Sequence, residues 1–315
     1  MNNDEFAIDL VYLWVDGNDP AWLARKRAFT GDFREGSETD SPARYESNDE
    51  LLYSLRSAEM YAPWIRQVFI VTDGQTPPWL DTSNPRVTIV DHREILPPEA
   101  LPCYNASVIE YFLYKISGLS ERFLLSNDDT FFAAPLSPDF FFAPDTNPIV
   151  RLKRKVLGKL RQPIKKRFAI GYGQYRQMLF RSARLVERET GKYISSIPHH
   201  NIDAYRKSDY KHCAEVLFVN EVKASQRNHT RAEGDFHRSA FSFYALAAGH
   251  AHARYVGRRE SLIIRVNRPD FMGFYEKYRP KLMCLNDNQR ATADDRRRIK
   301  PFLEALFPEK SSFEK

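Results

Sequence analysis

Short apolar runs alternate with amphipathic stretches through the first 130 residues. Ile8–Val15 (IDLVYLWV) is apolar, β-branched and aromatic, which at this length predicts a buried strand. It runs into Asp16-Gly17-Asn18-Asp19-Pro20, a cluster of turn formers. Three more strands follow: Gln67–Thr72 ending at Asp73-Gly74, Arg86–Val90 ending at Asp91-His92, and Arg122–Ser126 running into Asn127-Asp128-Asp129. Between them, Ser47 and Glu50 have capping-box spacing, and Leu51, Leu52, Leu55, Ala58 and Glu59 continue as an amphipathic helix to about Tyr61, which Pro63 stops. Asn105–Ile116 predicts a second helix, closed by Gly118. Strands alternating with helices imply an α/β chain built on βαβ units. Each strand ends in an Asp-bearing turn, so acidic groups should collect along the carboxyl edge of the sheet, where α/β enzymes present ligand-binding groups.

The second half is less regular. Asp235–Ala247 and Ala293–Phe307 predict helices, the latter opened by Asp294-Asp295 as a helix dipole prefers. Residues 151–188 are basic with few apolar runs and fit either an inserted helical arm or a mobile loop. The length of 315 residues suits one large α/β domain, with or without an inserted lobe, and 43% hydrophobic with 28% charged residues argues against a disordered, collagen-like or coiled-coil chain. The net charge of +6 is uneven. Residues 146–186 hold twelve Lys/Arg and no acid, so the remainder carries 35 basic against 41 acidic residues, a net of −6. A local positive field attracts polyanions, phosphates or anionic lipid headgroups. Aromatics enter this stretch only at its end (Phe168, Tyr172, Tyr175, Phe180), a weak stacking platform, so no nucleic-acid partner is expected.

Cys103, Cys213 and Cys284 are far apart, with no CxxC pair, which argues against a disulfide framework and a structural zinc site. The first residues, MNNDEF, carry acid where a signal peptide needs basic then apolar residues, and the longest nearly apolar run, Ala240–Ala248, is too short to span a bilayer. The expectation is a cytoplasmic protein, with contact at the inner face of a bacterial membrane open through residues 151–184.

Adjacent carboxylates at Asp128 and Asp129 repel each other unless a cation sits between them, and Mg²⁺ or Mn²⁺ is held by one or two carboxylates plus substrate phosphates. That pattern suits a metal–diphosphate site; a solvated type I turn is the bland alternative. Asn286-Asp287-Asn288 is a second cluster of oxygen ligands, again with a turn as alternative. His199-His200 could supply a general base, could bind metal, or could lie at the surface. Arg231 and Asp235 are four apart, as in a helical ion pair, or Arg231 could face a transferring phosphoryl group.

Taken together these motifs resemble the Stealth family, bacterial capsule-polysaccharide phosphotransferases related to the α/β subunit of the animal GlcNAc-1-phosphotransferase of lysosomal enzymes. The first block is Ile8 to Pro20 (IDLVYLWVDGNDP). The second runs from Arg44 (RYESNDELLYSLRSAEMYAPWIRQVFIVTDGQTPPWL) through Leu101–Ser107, Ile109-Glu110 and Gly118-Leu119-Ser120 to Asn127-Asp128-Asp129. The third holds His200, Arg231–Asp235 and Phe241–Tyr244; the fourth is Cys284–Asn288, with Leu306-Phe307-Pro308 and Ser312-Phe313-Glu314. Three positions depart from the family pattern: Ile202 stands where a Pro is usual, Cys103 where Thr is usual, and Ala106 lies between Asn105 and Ser107.

The resemblance implies a single catalytic domain over 1–315 with a GT-A-like, nucleotide-sugar-binding mixed sheet flanked by helices, and a basic, helical insert or arm over 146–190. It implies transfer of a hexose 1-phosphate, N-acetylhexosamine 1-phosphate above all, from a UDP-sugar such as UDP-GlcNAc to a sugar hydroxyl of a polysaccharide or oligosaccharide acceptor, with UMP leaving. Asp128, Asp129, Asp287 and Asn288 are then the candidate ligands of the divalent cation, Mg²⁺ or Mn²⁺. Arg231 is the candidate for phosphoryl charge and His200 for the base, with His199 not excluded, and Asp129 counts with them as catalytic. Trp14, Asp16, Gly17, Asp19, Asp73 and Gly74 would hold the nucleotide; Asn105, Ser107 and Glu110 would meet the sugar or its phosphate. Arg44, Asn48, Asp49 and Arg56 would support the site. Two other functions stay open: a metal-dependent glycosyltransferase that releases UDP, and a non-enzymatic polyanion binder.

Overall fold

The computed structural model describes residues 6–31, 48–154, 160, 163, 173–288 and 290–315. The first apolar run becomes the middle of a five-stranded sheet. Strands β1 (Ile8–Leu13), β2 (Val68–Thr72), β3 (Val87–Asp91) and β4 (Arg122–Asn127) are mutually parallel in the order β3-β2-β1-β4. Alternate residues of β1 serve opposite faces, Val11 in one core cluster and Ile8, Leu10 and Tyr12 in the other, which is why the strand reads as a continuous apolar run. Parallel pairing puts all four strand ends on one edge, so the Asp-bearing turns do line up as the pattern predicts.

Two small three-stranded sheets flank this one. In the second, β5 (Thr130–Phe132) runs antiparallel to β11 (Leu282–Asn286), which pairs in parallel with β10 (Ser261–Arg265). The Leu285 N–H donates to the Asp129 carbonyl at 2.9 Å, bringing the second acidic cluster beside the first across 155 residues of chain. In the third, β6 (Ile149–Lys153) lies between β7 (Ile197–Pro198) and β9 (His252–Tyr255). The fifth strand of the main sheet, β8 (Asp203–Arg206), is antiparallel to β4. At four residues, with Asp and Arg at its ends, it has no apolar run to betray it.

Helix α1 (Pro20–Thr30) follows the first turn and was not expected, although its signals are local: Asp19 accepts the Ala21 N–H at 2.9 Å and Pro20 opens the first turn. Helix α2 (Glu50–Tyr61) is found, but its N-cap is Asp49 in a left-handed conformation (φ 64°), and Glu50 accepts from the Asn48 backbone and side chain. Ser47 and Arg44 lie outside the described residues. The helix expected over Asn105–Ile116 is a short α4 (Ala106–Tyr111) followed by a 3₁₀ turn at Leu113–Lys115, after α3 (His92–Ile95). The C-terminal helix is broken into α10 (Ala293–Arg297) and α11 (Ile299–Leu306).

The basic stretch enters the fold at both ends. Arg151, on β6, is 2% exposed, sits 3.6 Å over the Phe140 ring, donates to the Phe140 carbonyl and lies 3.5 Å from Glu260. It is therefore a buried partner and not part of a surface field. Helix α5 (Gln174–Thr190) packs its buried Met178, Leu179, Ser182, Ala183, Leu185 and Val186 toward α8 (Ser239–Ala248), and Arg184 on its outer side pairs with Glu187. Lys155, Lys159, Arg161, Lys165, Lys166 and Arg167 lie outside the described residues. Between α5 and α8 run α6 (Lys207–His212) and α7 (Val219–Ser225); α9 (Phe271–Tyr278) lies against β10.

Arg56, expected to support the site, instead ties α2 to the far end of the chain. Its guanidinium makes a two-pronged bond to Glu314 at 2.8 and 2.7 Å and reaches the Phe307 carbonyl at 3.0 Å. Ser312 and Phe313 are held beside it by Asn84, Glu59 and the Asp81 N–H. Breaking this half-buried clip leaves Glu314 without its cation. Arg56→Met is expected to lower unfolding stability by about 2–4 kcal/mol while leaving divalent-cation binding within twofold, as measured by denaturant unfolding and calorimetric titration.

Candidate active site

The carboxyl edge of the main sheet is built loop by loop. After β1, the chain turns through Trp14–Asp19, and Gln75 from the loop after β2 clamps it: Gln75 Oε1 accepts the Asp16 N–H at 3.0 Å, while Nε2 donates to the Asp16 carbonyl and to Asp19 Oδ2, each at 3.0 Å. That amide bond holds the Asp19 carboxyl below its ordinary range. Trp14 is buried; Asp16, Gly17 and Asp19 are half-exposed. Asp73 lies 3.8 Å from Arg25 of α1, and Gly74 takes φ +68°, a conformation that suits glycine. These residues line one rim of the edge, as expected.

Asp128 and Asp129 close β4 and face the N-terminus of α2. Burial pushes both carboxyls up, Asp128 further by the charges of Asp129 and Glu50, Asp129 to about 6. Glu50 is itself pushed up, by burial first and then by Asp287. Asp129 Oδ2 accepts the Cys284 thiol at 3.4 Å, but its Oδ1 is buried with no hydrogen-bond partner among the described residues. A buried anionic oxygen without a donor, among further carboxylates, is the donor set that suits a hard divalent cation. Asp287 and Asn288 lie nearby but are engaged in their own loop, Asp287 by Arg296 at 2.6 and 3.3 Å and Asn288 by the Asn267 side chain at 3.2 Å. Among the described residues no three His, Cys, Asp or Glu side chains converge as a closed metal set. Mg²⁺ keeps several waters and takes substrate phosphates, so Asp128 and Asp129 are sufficient anchors, with Glu50 the addition that its role as a helix-start residue concealed.

Across this edge stand the two histidines. His199 is fully buried, with Nδ1 2.8 Å from the Ser261 hydroxyl and Nε2 3.1 Å from Asp203. His200 makes no hydrogen bond among the described residues and packs edge-on to Tyr175 (5.9 Å, 76°). Burial, then the Arg238 charge, push its imidazole down to about 4, so it is neutral at physiological pH. The same Arg238 charge lowers Asp129, which places histidine and acidic pair in one field. Arg231 has no ion pair among the described residues and its charge is felt by His237 and Tyr175. It does not pair with Asp235. That carboxylate is buried and takes hydrogen bonds from Asn105, Asn228 and the Ala232 N–H, and α8 starts only at Ser239.

Asn105, Ser107 and Glu110, expected to meet the sugar, are 0%, 1% and 4% exposed. Asn105 caps α4 and spends its amide on the carbonyls of Asn228 and Thr230 and on Asp235; Glu110 pairs with Arg238. Asn105 and Glu110 brace the site from behind, Asn105 by holding the loop that carries Arg231, whereas the buried Ser107 hydroxyl has no hydrogen-bond partner among the described residues. Asn48 and Asp49 hold the start of α2, the first through Glu50 and the second through Lys300 at 3.2 Å. Arg238, Asp203 and Tyr175 escaped the sequence; the one local signal is the polar break His237-Arg238 ahead of an apolar helix.

Three family models match the chain: Stealth protein conserved region 1 over residues 6–34, conserved region 2 over 44–150, and conserved region 4 over 276–315. The chain belongs to the Stealth family. Among curated relatives, the exopolysaccharide phosphotransferase CpsY of Mycobacterium tuberculosis is 34% identical over 327 residues, covering 98% of this chain and 58% of that protein. The exopolysaccharide phosphotransferase SCO6023 of Streptomyces coelicolor is 54% identical over 138 residues (44% of this chain, 23% of that protein). The capsular polysaccharide phosphotransferase cps12A of Actinobacillus pleuropneumoniae is 42% identical over 158 residues (49% and 42%). The matched chain thus spans 58% of the length of CpsY and less than half of the other two relatives. His200 and Arg231 fall between the second and fourth matched regions, an interval that the CpsY similarity runs through. A solved structure of the galactosyltransferase LgtC with donor and acceptor sugar analogues is similar over 95% of this chain and 96% of that one, at 11% identity and a TM-score of 0.45.

The acidic pair makes a checkable demand on stability. A carboxyl whose folded pKa is raised leaves the folded chain holding more protons than the unfolded one between about pH 4 and 6, so stability falls as pH rises through that window. In EDTA, Asp129→Asn is expected to gain on the unmodified chain by roughly 1–3 kcal/mol between pH 4 and 7. Millimolar Mg²⁺ should raise the melting temperature of the unmodified chain but not of the variant, as followed by scanning calorimetry.

Proposed function

We propose that this Stealth protein transfers a hexose 1-phosphate, N-acetylhexosamine 1-phosphate from a UDP-sugar such as UDP-GlcNAc, to a hydroxyl of a capsular or exopolysaccharide acceptor. The observation that carries this is the half-buried Asp128–Asp129 pair at the carboxyl edge of the sheet, with the buried Oδ1 of Asp129 lacking a donor among the described residues. The names of the curated relatives support the same class.

When bound at Asp128 and Asp129, with Glu50 and Asp287 near, a divalent cation such as Mg²⁺ or Mn²⁺ neutralises the donor's diphosphate. The Trp14–Asp19 and Asp73–Gly74 turns hold the nucleotide. His200 takes the proton of the acceptor hydroxyl on its imidazole; that both ring nitrogens of His199 already meet Ser261 and Asp203 supports His200 over its neighbour. The acceptor oxygen bonds to the phosphorus that bears the sugar, the bridging P–O bond breaks, and UMP leaves with that oxygen. Arg231, free of an ion pair among the described residues, stabilises the charge on the phosphoryl oxygens, and charge stabilisation with positioning dominates this chemistry. No described helix is long and apolar enough to cross a membrane.

A panel of nucleotide sugars with Mg²⁺ and oligosaccharide acceptors tests this by product. UMP release and a phosphodiester signal in phosphorus NMR are expected, and Arg231→Ala or His200→Ala should each cut turnover by about 10²–10³. Release of UDP with a simple glycoside would assign the chain to ordinary glycosyl transfer, and turnover untouched by both variants would remove these residues from the chemistry.

A further inference from the structure

Behind His200 runs a line of buried polar side chains that the proposed chemistry does not touch. Glu110 of α4 accepts from Arg238 Nη1 just ahead of α8, and Arg238 Nη2 lies 3.5 Å from Asp203 Oδ2 on β8. Asp203 Oδ1 meets His199 Nε2 at 3.1 Å, and His199 Nδ1 meets the Ser261 hydroxyl of β10 at 2.8 Å. Glu110, Arg238, His199 and Ser261 are each 5% exposed or less. Buried ion pairs of this kind are poor value for stability, since apolar side chains of the same volume serve as well. What four separate elements share is the short backbone segment at 199–202.

That segment is unusual. His200 takes φ 60°, left-handed backbone that a non-glycine residue holds only where its surroundings compel it. The His199 N–H is bonded to the Arg151 carbonyl at 3.2 Å, and Asn201 Nδ2 reaches Ser261 Oγ at 3.4 Å, so both neighbours of His200 are anchored. Asp203 remains ionised despite its burial, because the His199 bond and the Arg238 charge outweigh desolvation. The carboxylate then takes the Nε2–H of His199, and the Ser261 hydroxyl meets Nδ1 on the other side of the ring.

We infer that Glu110, Arg238, Asp203, His199 and Ser261 form a positioning chain that pins His199, so that the adjacent His200 is held in its left-handed turn with its ring edge-on to Tyr175 and without a hydrogen bond among the described residues. The inference rests on His200 being the base of the proposed reaction. His199 is then the anchor of the pair and His200 the working member, which accounts for two adjacent histidines with opposite environments.

Ser261→Ala and Asp203→Asn, made in the full chain, test it. Nitrogen-15 imidazole spectra should show His200 as one sharp set of signals in the unmodified chain and as broadened or multiple sets in both variants. Thermal melting should stay cooperative, and Mg²⁺–UDP affinity within twofold. With UDP-GlcNAc and Mg²⁺ as the probe, kcat should fall at least about tenfold with KM little changed, and neither substitution should lower kcat further in a His200→Ala background. Unmoved His200 signals, or losses that add fully to that of His200→Ala, overturn the positioning role. If His200→Ala alone leaves turnover intact, the base assignment fails instead, and the spectra still decide whether the chain holds the ring. Should Asp203→Asn not fold, Ser261→Ala, which removes a single hydroxyl, carries the same comparison.

Discussion

Asp128 and Asp129, half-buried side by side at the end of β4 with Asp129 Oδ1 enclosed, set an electrostatic demand that much of the neighbouring structure answers. Desolvation and mutual repulsion oppose ionisation of both, and Glu50 adds to the repulsion on each. The answers come from different parts of the chain. The Cys284 thiol donates to Asp129, the Leu285 N–H fixes the Asp129 carbonyl, and the pair faces the N-terminus of α2, where the helix dipole favours negative charge. These partners soften the demand without removing it, and Asp129 Oδ1, without a hydrogen-bond partner among the described residues, is where the proposed cation would complete it.

Arg238 is the fixed counter-charge of this region. It is buried, faces Glu110 and Asp203 directly, and lowers both Asp129 and His200. One guanidinium therefore favours two states that the proposed transfer needs at neutral pH: an ionised Asp129 on one side and an unprotonated His200 imidazole on the other. Its neighbour Arg231 is held by a loop whose shape depends on Asn105 and Asp235, so the polar residues of α4 act on the site through the backbone they brace.

Much of the first half of the fold was legible because parallel strands bury both faces. Ile8–Leu13, Val68–Thr72, Val87–Asp91 and Arg122–Asn127 stand out as apolar runs for that reason, and the turns that follow them are marked by Asp and Gly. Strand β8 was not legible, since an edge strand of four residues carries no periodicity. The twelve-residue charge excess misled at Arg151, because charge counting cannot tell a solvated guanidinium from one stacked on Phe140. Asn105, Ser107 and Glu110 look like ligand-binding residues in a motif; all three are buried, and the first and last are spent on interior partners.

The sequence by itself determined which residue types are available and where each strand delivers them: carboxylates after β4 and β11, a histidine pair, an arginine in a polar loop. Short-range patterning settles such things because strand burial and turn chemistry act over a few residues. Only the tertiary structure decided their division of labour. Asp129 and Cys284, or Glu110 and Arg238, meet across more than a hundred residues of chain, and whether a side chain is spent on a partner or left free depends on those meetings. His199 and His200 are neighbours of identical chemistry. Ser261 of β10 and Asp203 of β8 meet the ring of the first, while the left-handed turn sets the second against Tyr175 with no hydrogen bond among the described residues.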